Sequence, residues 1–237
     1  MAGKEPEMAK HVGIVACSSE GAALCYRTFC LEAAEQMGEH SHPEVSMHTH
    51  SLAEYMEFIR AGDWDGVAKL MISSAEKLAR AGADFFLCPN NTLHQAFDKV
   101  KERSPKPWLH IAQVVAADAV RKGYSCLGIL GTRYLMEGPV YPTQLKAQDL
   151  DFRIPEEKDR QRINSVIFDE LVKSQIQDRS RKEFVSIIER LKARGCDAVV
   201  LGCTEIPLLI SPTDSPLPTL DSTRLLARAA LERALSK

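Results

Sequence analysis

Short apolar runs alternate along this chain with longer segments of helical period. Val12–Ala16 is an apolar run too short for a helix, ending in the small and polar stretch Cys17-Ser18-Ser19-Glu20-Gly21. An amphipathic pattern follows from Ala22 to Met37, and Glu44–Ser51 alternates with period two, as a half-buried strand does. Asp63–Arg80 places Val67, Leu70, Met71, Ala75 and Leu78 at helical spacing, and Ala81-Gly82-Ala83 ends it before a strand at Asp84–Cys88. Pro89–His94 reads as a turn opening a helix through Val100, with strand-like Trp108–Ile111 and helical Ala112–Lys122 beyond it. The second half repeats the scheme. A strand at Cys126–Leu130 runs into a Gly131-Thr132 turn, and helices are predicted over Val140–Gln148, Asp159–Lys173 and Arg181–Arg194. A strand at Asp197–Leu201, a Pro-rich loop at Ser211–Pro218 and a closing helix at Ser222–Leu235 complete the chain. Strands alternating with helices predict an α/β fold of parallel sheets covered on both faces.

The two halves align. Ala81–Leu87 matches Arg194–Val200 at an offset of 113, and Gly13–Ala16 matches Gly128–Gly131 at 115, an offset that also pairs Tyr26 with Tyr141. Two matches in consistent order at nearly equal offset predict two pseudo-symmetric lobes, each a mostly parallel sheet flanked by helices, facing each other across a cleft. The expected division is residues 11–111 with 218–237 in one lobe and 112–217 in the other, after a disordered lead over residues 1–10. In open α/β sheets ligands bind at the carboxyl ends of strands. Cys203, in Leu201-Gly202-Cys203-Thr204-Glu205-Ile206-Pro207, is expected at such an end, where Pro207 stops the extended segment. Subtracting 113 makes Asn90 its pseudo-symmetric partner.

Composition narrows the function classes. In 237 residues, 30 basic side chains balance 32 acidic ones without a long basic run, so nucleic-acid binding has no electrostatic footprint. No apolar run approaches the length of a membrane span and the first ten residues are polar, which leaves the cytoplasm as the expected location and no membrane partner. Seven cysteines occur without a Cys-x-x-Cys pair, which fits buried reduced thiols better than a zinc or redox motif. His40, His42, His48 and His50 alternate, but no cysteine or acidic partner stands at ligand spacing, so no metal is expected. Trp64 and Trp108 are expected in the core.

The motifs now on the page resemble the aspartate/glutamate racemase superfamily over nearly the whole chain. The resemblance rests on Gly13-Ile14-Val15, Gly62-Asp63-Trp64, Asn91-Thr92-Leu93-His94, Gly131-Thr132-Arg133-Tyr134, Arg162-Ile163-Asn164 with Phe168-Asp169-Glu170-Leu171, and above all Gly202-Cys203-Thr204-Glu205-Ile206. It implies an amino-acid racemase or epimerase that works without pyridoxal phosphate or another cofactor, on aspartate, glutamate or a related small amino acid or dicarboxylate, as a homodimer. Racemisation at Cα needs a base on one face and an acid on the other. A thiol of pKa near ~8.5 becomes a usable base when positive charge or helix N-termini lower it. On this resemblance Cys203 is the acid/base, Asn90 stands in the position of the second base, and Ser18, Asn91, Thr92, Thr132, Thr204 and Glu205 hold the substrate.

Three positions depart from the pattern. Asn90 stands where relatives commonly have Cys or Thr, and a neutral amide cannot exchange a proton at physiological pH. Cys88 lies two residues earlier, about 6–7 Å back along an extended segment, and is expected in the core. Leu135 replaces the Thr of members acting on acidic amino acids, and Ser18 replaces a common Met. A single-thiol decarboxylase or isomerase of the same superfamily, or a dicarboxylate-binding protein that has lost one base, are the alternatives. His94 is expected either to polarise the site or to be a satisfied helix histidine. The charged Glu156–Arg162 segment is expected to begin a solvated helix, with cover of the cleft as the alternative.

Overall fold

A computed structural model describes residues 9–236. In the first half, β1 (Val12–Ala16) and α1 (Ser19–Met37) are followed by β2 (Val45–Thr49), α2 (Leu52–Ala61), α3 (Trp64–Arg80) and β3 (Phe85–Leu87). A 3-10 turn at Thr92–Ala96 runs into α4 (Phe97–Arg103), and β4 (Trp108–Leu109) closes the sheet. The second half comprises α5 (Ile111–Arg121), β5 (Cys126–Leu130), α6 (Arg133–Met136), α7 (Val140–Lys146), β6 (Asp151–Arg153) and α8 (Glu157–Asp169). A 3-10 turn at Leu171–Lys173, α9 (Asp178–Ala193), β7 (Ala198–Leu201), α10 (Ile206–Leu209), β8 (Thr219–Asp221) and α11 (Ser222–Leu235) follow.

The strands form two four-stranded sheets, ordered β2-β1-β3-β4 and β6-β5-β7-β8, with every pairing parallel. Register shows the internal repeat directly. Val12 lies opposite Phe85 in the first sheet and Leu127 opposite Ala198 in the second. Val12 to Leu127 is a shift of 115 residues and Phe85 to Ala198 one of 113, the two offsets read from sequence. Both sheets are buried on both faces, as parallel sheets require. In the first, α3 packs on one side around Met71 and Phe86, while α1 and α11 pack on the other around Phe29 and Leu226. In the second, α8 and α9 cover one face around Ile163 and Phe184, and α5 and α7 the other around Val115 and Tyr141. Trp64 and Trp108 pack at the edge of the α3 cluster, partly buried.

Several expectations need correction. Residues 1–8 of the expected disordered lead lie outside the described residues, but Lys10 is tied down: its N–H donates to Ala234 O at 2.9 Å and its Nζ to Ser236 O at 2.8 Å. The return to the first sheet's helical layer comes at Ser222 rather than at residue 218, because β8 (Thr219–Asp221) pairs with β7 and α11 packs back onto α1. Pro207 does not end a strand; β7 stops at Leu201 and Pro207 sits in the first turn of α10, where its missing N–H costs nothing. The helix expected over Asp159–Lys173 breaks after Asp169 and continues as a 3-10 turn. Helix α2 was hidden behind the strand at β2, although Ser51 and Glu54 form a capping box that announces it.

Candidate active site

The carboxyl ends of the central strands β1, β3, β5 and β7 turn toward one another, and one cavity lies between them. The cavity volume is about 60 Å³. Ser18 reaches it from the end of β1, Asn90, Asn91 and Thr92 from β3, Thr132 from β5, and Gly202, Cys203, Thr204 and Glu205 from β7. All eight residues singled out from sequence therefore face one space, from both lobes. A hydroxyl pair spans the lobes, Thr92 Oγ1 lying 3.1 Å from Thr132 Oγ1.

On the β7 side, the Cys203 thiol donates to Glu205 Oε2 at 2.9 Å and the Thr204 hydroxyl donates to the same oxygen at 2.8 Å. Cys203 keeps some accessible surface, whereas Thr204 and Glu205 are buried. Burial pushes the Cys203 thiol well up, and the adjacent Glu205 carboxylate pushes it further. That corrects the expectation of a thiol lowered by positive charge. Among the described residues no lysine, arginine or histidine lines the cavity, and α10 is too short to supply a dipole. The resting group is a thiol, with its proton aimed at a carboxylate. Removing the carboxylate's charge has a definite sign. In Glu205→Gln the pH at which Cys203 becomes alkylated by iodoacetamide falls, yet stays above that of a free cysteine because burial persists. A Cys30→Ser background removes the other partly exposed thiol; an unchanged or raised inflection in Glu205→Gln contradicts the assignment.

The β3 side carries no acid/base group. Asn90 Oδ1 accepts from the Leu93 N–H at 3.2 Å, so half of its amide serves the turn. The Cys17 thiol lies against the Asn90 amide from below, and burial raises that thiol too. Cys88 is fully buried in the α3 cluster and pushed up by burial to about 12, as expected of a core thiol. His94 is a satisfied structural histidine outside the cavity wall. Its Nε2 accepts from the Ile111 N–H at 3.3 Å, which leaves Nδ1 to donate to Asn90 O at 2.9 Å. Burial, with His110 adding to it, lowers its pKa to about 3 and keeps it neutral.

Asn91 departs from its expected role. Its Oδ1 accepts from the Tyr141 hydroxyl at 2.8 Å, and its Nδ2 donates to Ser222 Oγ at 2.9 Å. Ser222 in turn donates to Leu201 O at 3.0 Å, at the very end of β7. One Nδ2 hydrogen and Oδ1 are thus committed to a buried chain between the lobes, which leaves the second Nδ2 hydrogen and the backbone of Asn91 for a ligand. Tyr141→Phe leaves Asn91 Oδ1 without a donor, and a buried unsatisfied acceptor costs ~1–3 kcal/mol. Urea denaturation should show that loss; a change below ~0.5 kcal/mol would mean the network carries little.

Sequence reading missed the apolar half of the wall. Leu52, Met56 and Ile59 come from α2, Ile167 and Phe168 from the end of α8, Val172 from the turn after it, and Tyr134 from α6. The i, i+4, i+7 spacing of the α2 residues behind the Ser51 capping box was the available signal. The charged start of α8 is not the cover: Arg160 pairs with Glu137 at 3.0 Å and Arg162 with Glu183 at 2.5 Å, away from the wall. His48 and His50 meet edge to face with ring centroids 5.0 Å apart, and among the described residues no group of three His, Cys, Asp or Glu is placed to hold a metal. No described helix is long and apolar enough to cross a membrane.

Comparison with known proteins agrees with this geometry. Residues 14–230 match the Asp/Glu/hydantoin racemase family. The broad specificity amino-acid racemase RacX of Bacillus subtilis is 23% identical over 174 residues, 73% of this chain and 75% of that one. Among solved structures, a candidate Asp/Glu racemase from Yersinia pestis is 30% identical with a TM-score of 0.89, covering 96% of this chain and all of the other. PH1733, an aspartate racemase homologue from Pyrococcus horikoshii, is 27% identical at a TM-score of 0.84, with 96% of this chain and 100% of that one covered. With a family match over residues 14–230, nearly its full length, the chain belongs to the Asp/Glu/hydantoin racemase family.

Proposed function

We propose that this protein is a pyridoxal-independent racemase or epimerase that moves the Cα proton of an amino acid, with Cys203 as acid/base and Asn90 in the place of a second base. The observation that supports this reading is that Cys203 and Asn90 line one cavity, one from each sheet, after strands related by the internal repeat. Proton removal would start with the Cys203 proton passing to Glu205 Oε2, its hydrogen-bond acceptor at 2.9 Å. The thiolate then takes the Cα proton, and the negative charge develops on the substrate carboxylate as an enolate. The hydroxyls of Ser18, Thr92 and Thr132 and the backbone N–H groups of the β3 turn supply the neutral donors that such an oxyanion needs. The test is loss of the Cα–H signal in heavy water, followed by NMR over a panel of L- and D-amino acids. Exchange with none of them would sink the proposal.

A specific observation favours a second reading. The thiol rests protonated, and the opposite wall offers an amide, which suits one-sided delivery of a proton to an enolate after carbon dioxide leaves. Release of carbon dioxide from substituted malonates, abolished in Cys203→Ala, would support a single-thiol decarboxylase over the racemase.

A further inference from the structure

The apolar lining of the cavity carries no group that welcomes a second negative charge. Leu52, Met56 and Ile59 come from α2, Ile167 and Phe168 from the end of α8, and Val172 from the turn after it. The charged side chain on the wall is Glu205, itself a carboxylate, buried and already accepting two hydrogen bonds. Among the described residues no lysine, arginine or histidine lines the space. An α-carboxylate can be held by hydroxyls and backbone N–H groups, and an α-ammonium can pair with Glu205. A side-chain carboxylate would have to leave water for an apolar wall, without a cation and in the field of Glu205. A buried charge without a partner is strongly unfavourable, whereas an apolar side chain gains by covering the same surface.

We propose that the side-chain subsite, framed by α2 and the end of α8, takes an uncharged apolar side chain of leucine, methionine or phenylalanine type, and rejects aspartate and glutamate. This rests on the racemase reading above and gives it a substrate class. Met56 is half-buried and Val172 is exposed at the mouth, so both tolerate a longer side chain that reaches water. A cation placed there supplies the partner that a side-chain carboxylate lacks.

The experiment compares Cα–H exchange in heavy water for leucine, methionine and phenylalanine against aspartate and glutamate, in wild type, Met56→Arg and Val172→Arg. One methylene more or less in a hydrophobic pocket discriminates by ~10–200-fold. Wild type is therefore expected to turn over the apolar group at least ~10-fold faster, and one or both arginine variants to narrow or reverse that ratio. Equal or faster exchange of the acidic amino acids in wild type overturns the subsite assignment while leaving the racemase reading intact. Exchange with no amino acid overturns the racemase reading. Calorimetric binding of leucine and glutamate to Cys203→Ala then decides the subsite alone, and tighter glutamate binding overturns it.

Discussion

Cys203→Ala is expected to slow Cα proton exchange by ~10²–10⁴-fold, the range over which a positioned acid/base group acts, while leaving the fold intact. The thiol donates one of two hydrogen bonds to Glu205 Oε2, and the Thr204 hydroxyl at 2.8 Å still satisfies that oxygen after the substitution. Cys203 is only partly buried at the edge of the α8–α9 core, so the small volume lost opens toward the cavity rather than into the packed interior. Urea midpoints of the two proteins should therefore agree closely, and the loss should appear in kcat/KM alone. Exchange persisting within ~10-fold of wild type would remove Cys203 from the chemistry.

Gly202→Ala is expected to lower both stability and activity, because the residue before the thiol has no room for a methyl group. A Cβ there would stand 2.7 Å from Leu130 O and 2.5 Å from Leu135 Cδ2. The leucine can move; the carbonyl cannot, since the Gly202 N–H donates to that same Leu130 O at 2.8 Å and holds the ends of β5 and β7 together. Overpacking of this kind costs ~1–3 kcal/mol, and relief by separation of the two strand ends would carry Cys203 away from Asn90. Thermal and urea unfolding read the first effect and the exchange rate reads the second. Adding Leu135→Ala should recover only part of the loss; full recovery would show that the side chain, not the strand pairing, sets the constraint.

Much of this arrangement was legible in the sequence because it is written in short apolar runs. The repeat at offsets of 113 and 115 anticipated two similar lobes, and the same offsets return in the pairing of their central strands. The eight polar site residues were legible because turns after central strands are the places where side chains can meet between sheets. Edge strands β6 and β8, three residues each, and the four-residue helices α6 and α10 were not, because segments that short leave no period to read. Electrostatics was the larger gap. Spacing cannot tell whether a thiol will find a cation or a carboxylate, and it found Glu205. Nor can a motif show that Asn91 spends its amide on Tyr141 and Ser222, contributed by α7 and by the first turn of α11. The apolar wall was missed for a related reason: leucine, methionine and isoleucine on a helix read as core until the cavity beside them is known.

The central claim is that a single thiol faces an amide across the substrate site. It is tested most directly by following wash-out of the Cα proton and inversion of configuration together, in heavy water, from each enantiomer of one accepted amino acid. With Cys203 on one side and Asn90 on the other, the enantiomer whose Cα–H faces Cys203 should exchange faster than it inverts. Its mirror image should exchange more slowly, and Asn90→Cys should raise inversion toward wash-out. Equal wash-out and inversion from both enantiomers of the wild-type protein would contradict the account, because it would require a second proton carrier opposite Cys203.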